Sequence, residues 1–200
     1  MNHKVDVLLF LLTGKKGSGK STLAVSLALQ QSLLHDRAPI YSNMTLTIPG
    51  VETVTIRKAN ELIQMCTDEP CTCSPKIFVV DEFDKSFTSR IGWVERTREQ
   101  KLTELVSNIR KHNVIAFIAT SQLKKKIKND YRHNCDYVCE PTGTLDEGGF
   151  MEYFIWSDVE LYESAGKKRY EYAEFCSSVF PLSFIENTFN TRQIIVLEWE

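Results

Sequence analysis

The feature that most constrains this 200-residue chain is a glycine-rich segment at residues 14–21, which fits the pattern G-x-x-x-x-G-K-[ST]. An apolar run of strand length (residues 5–12) precedes it, and a helical pattern (residues 21–34) follows. Glycines let backbone N–H groups curl around phosphate oxygens, and a helix N-terminus adds a favourable dipole. This order predicts a phosphate-binding loop (P-loop), and the alternative is a glycine-rich turn that caps a helix.

Two side chains of this loop carry predicted roles. Lys20 is expected to reach the β- and γ-phosphates of ATP, and Ser21 is expected to bind Mg²⁺. The predicted nucleotide-binding residues are Gly14, Lys15, Lys16, Gly17, Ser18, Gly19, Lys20, Ser21 and Thr22.

The second element of the predicted site is a pair of acidic residues that follows the apolar run at residues 77–80. Asp81 is predicted to hold the Mg²⁺ shell, and Glu82 is predicted to polarise the attacking water. This pair favours ATP hydrolysis over nucleotide storage. The alternative makes Asp81 and Glu82 an ordinary loop start.

Gln122 follows the next apolar run, residues 114–119, where a polar side chain would lie beside the γ-phosphate. It is predicted to sense hydrolysis or to orient water, and the alternative is a surface glutamine.

Strand-like and helical patterns alternate along the chain, which predicts an α/β fold with a mostly parallel central sheet flanked by helices. Beyond about residue 141 a turn-rich stretch precedes two strands, at 150–162 and 168–175, which predict a C-terminal β-hairpin addition. The tail at 193–199 is predicted to be a last strand. We expect a single domain over residues 1–200, with a core at about 5–140 and a β-rich extension at about 141–200.

Composition excludes a disordered, a collagen-like and a low-complexity chain. The chain is 42% hydrophobic and 25% charged, as in ordinary globular proteins. The net charge of −2 requires any nucleic-acid binding to come from a local patch. The apolar run at 5–12 is too short to span a bilayer and lacks a cleavage site of the signal-peptide kind, so we expect no transmembrane segment and a location in a cytoplasm.

These motifs, with a helix ending at residues 108–113, resemble the FtsK/HerA superfamily of P-loop motors over about residues 5–140. Within it the chain is similar to genome-packaging ATPases of viruses and to Zot-like assembly ATPases of filamentous phages. Residues 41–44 and 189–195 resemble further segments of that group, although Phe189-Asn190-Thr191 stands for its Tyr-Asp-Thr. The resemblance implies a RecA-like P-loop NTPase fold and a motor that packages double-stranded viral DNA into a preformed capsid. It also implies a ring, usually a hexamer, in which Arg110 completes the neighbouring subunit's site. Capsid or portal-vertex proteins are further expected partners, with a location in the host cytoplasm or the virion.

One dense basic run follows Gln122 and predicts contact with DNA, unless it is a solvated helix face. Its residues are Lys124, Lys125, Lys126 and Lys128. A second candidate for DNA contact is the segment at 85–98, expected to be a loop, which equally suits a subunit interface.

Two questions stay open from the sequence. A zinc site is a less favoured interpretation of the cysteines than free thiols or one disulfide across residues 66–73, because their spacing matches no C-x-x-C pair of zinc ligands. The candidate zinc ligands are Cys66, Cys71, Cys73, His133, Cys135 and Cys139. A small-molecule kinase and a nucleotide-regulated switch without DNA translocation are the rival functions.

Overall fold

A computed structural model describes most of the chain. The described residues are 7–67, 75–87, 101, 104–105, 108–109, 113–122, 134–145, 149–164, 167–181, 183, 185, 188–190 and 197–198.

The described strands form one eight-stranded sheet in the order β3-β2-β4-β5-β1-β6-β7-β8. The first six strands in this order pair in parallel, and β6, β7 and β8 pair antiparallel. The predicted α/β fold, with a mostly parallel sheet and an added hairpin, is confirmed. The strands are β1 (Leu8–Thr13), β2 (Ile40–Ser42), β3 (Thr53–Thr55), β4 (Lys76–Val80), β5 (Val114–Ser121), β6 (Tyr137–Leu145), β7 (Phe150–Ser164) and β8 (Lys167–Pro181).

The central strands bury both of their faces, which explains their continuous apolar sequence. In β4, Ile77 and Val79 pack in one core cluster, while Phe78 and Val80 pack in the other. Helix α1 (Lys20–Leu34) covers the first cluster, and α2 (Ala59–Thr67) covers the second. The sheet thus becomes the middle layer of three.

The segment between β4 and β5 is described only in part. Leu105 and Ile109 belong to helical turns and are fully buried in the same cluster as α2. A third helix, α3 (Phe83–Phe87), is separated from the end of β4 by two residues, and Phe83 packs edge-on against Phe117. The sequence predicted a loop from residue 85, and this is wrong for residues 85–87, because burial of Phe83 holds the chain in a short helix.

The C-terminal addition also differs from its predicted outline. Strand β6 runs through Pro141 and Gly143, where the sequence predicted turns. Gly143 takes a φ of 78°, and the pairing of β6 with β7 shifts register between Pro141 and Leu145. The turn-forming residues therefore produce an irregularity inside the strand and do not end it. Of the predicted last strand only residues 197–198 are described, and Glu198 forms an isolated bridge with Lys58.

Among the described helices, none is long and apolar enough to cross a membrane.

Candidate active site

The glycine-rich loop lies between the carboxyl end of β1 and the start of α1, at the middle of the sheet. Gly14, Gly17 and Gly19 have φ values of 141°, 82° and 90°, where a side chain would be strained. A Cβ atom on Gly14 would also lie 2.8 Å from Ser18 Oγ. The loop thus needs glycine for its conformation as well as for close approach of its backbone to a ligand.

Lys20 begins α1 and is only 8% exposed. Its ammonium donates a 2.7 Å hydrogen bond to the carbonyl oxygen of Lys15, across the loop. Burial lowers the pKa of Lys20 below 10.5, while the charges of Asp81, Glu82 and Asp84 act in the opposite direction. A partly desolvated cation held inside the loop is suited to binding phosphate.

Two side chains from two different elements meet at the Asp81 carboxylate. Its Oδ1 atom accepts a 2.9 Å hydrogen bond from Ser21 Oγ on α1. The same oxygen accepts a 2.6 Å hydrogen bond from Thr120 Oγ1 on β5. These contacts join the loop to the ends of β4 and β5, although the residues are 60 and 39 positions apart.

Asn43, at the end of β2, holds the backbone of Asp81 from the other side. Its amide donates to the Asp81 carbonyl oxygen at 2.9 Å and accepts from the Asp81 N–H at 2.8 Å. Asn43 is 1% exposed, and its contact with Asp81 lies just beyond the last paired residues of β2 and β4, Ser42 and Val79. This two-way contact sets the direction in which the chain leaves β4.

Glu82 has an uncommon backbone conformation for a non-glycine residue, with a φ of 49°. Its N–H donates a 2.9 Å hydrogen bond to Thr120 Oγ1, which stabilises this conformation. Its carboxylate forms an ion pair with Lys85 of α3 and lies 3.5 Å from Gln122 Nε2. Glu82 and Gln122 are therefore neighbours at the same edge of the sheet.

The residues present fit a magnesium–nucleotide complex. The buried Ser18 Oγ has no hydrogen-bond partner among the described residues, and it faces the loop whose N–H groups would surround phosphate. Ser21 and Asp81 offer the hard oxygen ligands that Mg²⁺ prefers. The carboxylates around Lys20 would repel a triphosphate, and a divalent cation would offset this repulsion.

The structure brings together Lys20, Ser21, Asp81, Glu82 and Gln122, all of which the sequence nominated. Sequence reasoning assigned no role to Asn43 or Thr120. Both are polar residues at the carboxyl ends of strands next to β4, and this was the signal that could have found them.

The C-terminal addition also contributes to the site, which the sequence did not indicate. A Cβ atom on Gly143 of β6 would lie 3.4 Å from the Ser18 Cα atom. A Cβ atom on Gly19 would collide with the side chain of Met151 of β7. Strands β6 and β7 thus form one wall of the phosphate-binding loop.

Several predicted residues fall outside the described part of the chain: Arg110, Lys124, Lys125, Lys126, Lys128, Cys71, Cys73 and His133. Cys66, Cys135 and Cys139 are buried and form no disulfide with one another, and burial raises the pKa of Cys66 to about 12. Within the described residues no group of three or more His, Cys, Asp or Glu side chains could hold a metal ion.

The loop and the acidic pair lie at the carboxyl edge of the parallel part of the sheet, beside a strand that Gln122 follows directly. This arrangement defines a P-loop nucleotide hydrolase. The chain belongs to the ATPase family associated with various cellular activities (AAA), whose model matches residues 10–140. No curated protein matches the sequence.

Two solved structures share the fold at low sequence identity. The N-terminal domain of zonular occludens toxin from Neisseria meningitidis is 14% identical with a TM-score of 0.57, over 92% of this chain and 100% of that one. The genome packaging NTPase B204 of Sulfolobus turreted icosahedral virus 2, in complex with ATP-gammaS, is 13% identical with a TM-score of 0.51. That match covers 78% of this chain and 94% of B204.

Proposed function

We propose that this ATPase is an FtsK/HerA-type motor that translocates double-stranded DNA and packages a viral genome into a preformed capsid. The observation that carries the hydrolytic part is the convergence of Glu82 and Gln122 beside the Ser21–Asp81 pair. A carboxylate and an amide at this edge suit activation and orientation of water at the γ-phosphate.

In this proposal each side chain has one task. Lys20 binds the β- and γ-phosphate oxygens. Glu82 accepts a proton as water attacks the γ-phosphorus and the bond to the ADP oxygen breaks. Gln122 orients that water, and Thr120 holds Glu82 through its N–H. Ser21 and Asp81 would hold Mg²⁺, which supplies charge neutralisation on the phosphates when bound.

The translocation part rests on the resemblance of the motifs and on the shared fold of the packaging NTPase B204. A compact chain of this size has a radius of gyration of roughly 16–17 Å, too small to encircle a duplex alone. We therefore propose a ring, hexameric by resemblance, in which Arg110 acts on the neighbouring ATP. The lysine run at 124–128 contacts DNA, capsid or portal-vertex proteins bind the ring, and the motor works in the host cytoplasm or on the virion.

A second candidate is an assembly ATPase that does not move DNA. The zonular occludens toxin domain favours it, because that match covers 92% of this chain whereas the B204 match covers 78%.

One assay separates these functions: ATP hydrolysis with and without duplex DNA, with a panel of small phosphate acceptors. A DNA-packaging motor hydrolyses ATP faster with DNA. An assembly ATPase or a switch is indifferent to DNA, and a kinase transfers phosphate to an acceptor. Glu82→Gln should bind ATP and lose turnover, and wild-type turnover in this variant would remove Glu82 from its role.

DNA contact has its own test in the lysine run. Replacing Lys124, Lys125, Lys126 and Lys128 by Ala should weaken binding equally for all sequences and flatten its salt dependence by up to ~4 units of log–log slope. An unchanged slope would assign the run to solvent.

The trans role of Arg110 is tested by mixing. Arg110→Ala subunits and Lys20→Ala subunits should each be inactive, whereas mixed rings should regain hydrolysis at sites with an intact Lys20 and a neighbouring intact Arg110. Mixed rings with no more activity than the separate variants would place Arg110 outside the site.

A further inference from the structure

The Glu82 carboxylate has a charged neighbour on Oε2, which forms no hydrogen bond among the described residues, and a polar neighbour on Oε1. Oε2 forms an ion pair with the Lys85 ammonium, and Oε1 lies 3.5 Å from Gln122 Nε2. The Glu82 side chain is 20% exposed and that of Lys85 is 39% exposed. A general base must turn a carboxylate oxygen toward the water that it deprotonates, so this arrangement opposes the proposed reaction.

The backbone holds Glu82 and Lys85 together. The Lys85 N–H donates a 2.8 Å hydrogen bond to the Glu82 carbonyl oxygen, which closes the first turn of α3. The φ of 49° at Glu82 is a conformation that persists only where neighbouring contacts impose it. Here the contacts are the Thr120 hydroxyl on the N–H and the α3 turn on the carbonyl.

We propose that Lys85 is a positioning residue that restrains Glu82, and that the Glu82–Lys85 ion pair must open before Glu82 accepts a proton from water. This inference rests on the proposed role of Glu82 as the base. It gives Lys85 a task distinct from the DNA contact that its sequence neighbourhood suggested.

The size of the effect follows from exposure. Only the Lys85 side of this pair is exposed, and water and salt screen a partly exposed ion pair, so that it contributes little. We therefore expect kcat to rise about two- to five-fold when the pair is removed, which corresponds to about 0.4–1 kcal/mol. The KM for ATP should not change, because the ion pair of Lys85 within the described part of the chain is with Glu82 and not with the loop residues that would bind phosphate.

The test compares three variants by steady-state ATP hydrolysis without DNA. Lys85→Met removes the charge and keeps a long side chain, and it should show the rise in kcat. Lys85→Arg keeps the charge and should behave as wild type. Lys101→Met is the matched control, because it also removes a lysine that binds a polar neighbour, Asn60 of α2 rather than Glu82, and it too should behave as wild type.

A salt titration gives a readout that a purely structural role would not move. Raising ionic strength from about 0.05 to 0.3 M weakens an ion pair that is partly exposed to solvent. The ratio of kcat for Lys85→Met to kcat for wild type should therefore fall toward one. An unchanged or lower kcat in Lys85→Met, a rise in Lys85→Arg as well, or a ratio independent of salt would each overturn the proposal.

Glu82→Gln in the same assay distinguishes the two failures. If Glu82→Gln hydrolyses ATP at the wild-type rate, the proposed role of Glu82 fails and the restraint fails with it. If Glu82→Gln is inactive and Lys85→Met equals wild type, only the restraint fails. Equal melting temperatures of wild type and Lys85→Met show that the comparison concerns folded protein.

Discussion

Replacing Thr120 by Val tests the centre of the candidate site. Thr120 is fully buried, and its single hydroxyl donates to Asp81 Oδ1 at 2.6 Å while accepting from the Glu82 N–H at 2.9 Å. Valine has nearly the same shape, so the substitution removes two hydrogen bonds and leaves the packing in place.

The magnitude follows from those two contacts. A hydrogen bond to a charged group contributes about 1.5–3 kcal/mol, and a buried N–H left without a partner costs about 1–3 kcal/mol. Asp81 keeps its bond from Ser21, so we expect a total near the low end, on the order of 3 kcal/mol in the free energy of unfolding. For a chain of this length that lowers the melting temperature by roughly 6–12 °C.

Thr120→Ser is the matched control, because it keeps the hydroxyl and loses one methyl group, at a cost of about 1 kcal/mol. Unfolding in denaturant should rank wild type, Thr120→Ser and Thr120→Val in falling stability. Without its anchor, Glu82 should act less well, and kcat should fall roughly tenfold in Thr120→Val with little change in the KM for ATP. If the serine and valine variants are equally stable and equally active, the bridging role of the hydroxyl is wrong.

Three further predictions concern other buried polar groups. Asn43→Leu should destabilise the fold by about 2 kcal/mol because the Asp81 N–H loses its partner, and denaturant unfolding equal to wild type would contradict this. The pKa of Lys20 lies below 10.5 in the folded protein, so nucleotide affinity, measured by calorimetry, should fall as pH rises through that lowered pKa. Lys20→Met, the control, should have weak affinity at every pH. A wild-type affinity that stays constant up to pH 10.5 would contradict the assignment. Burial raises the pKa of the Cys66 thiol from its ordinary value of 9.0 to about 12, so the stability that the buried neutral thiol contributes is present below pH 9 and is lost as pH rises toward 12. Cys66→Ala should therefore lose less stability than wild type over that window. Equal slopes of unfolding free energy with pH in the two proteins would refute this prediction.

Much of the fold was predictable because its signals are local. The apolar runs of β1, β4 and β5 and the glycines between β1 and α1 identify their conformations within a few residues. The full length of strand β6 was not predictable in this way, since Pro141 and Gly143 signal turns locally and pairing with β7 carries the strand on to Leu145. Helix α3 is similar, because Phe83 becomes helical by packing on Phe117, which lies on another strand.

The sequence by itself determined which chemistry the site can offer, because a phosphate-binding loop requires glycines, a lysine and a hydroxyl at fixed spacing within a short stretch of chain, here residues 14–21. Only the tertiary structure decided how the distant groups meet. Parallel pairing of β4 with β5 and of β5 with β1 sets Asp81 beside Thr120 and Ser21, and pairing of β2 with β4 brings Asn43 to the Asp81 backbone. Such contacts depend on strand order and register, which arise from burial on both faces of the sheet and leave no local pattern in the sequence.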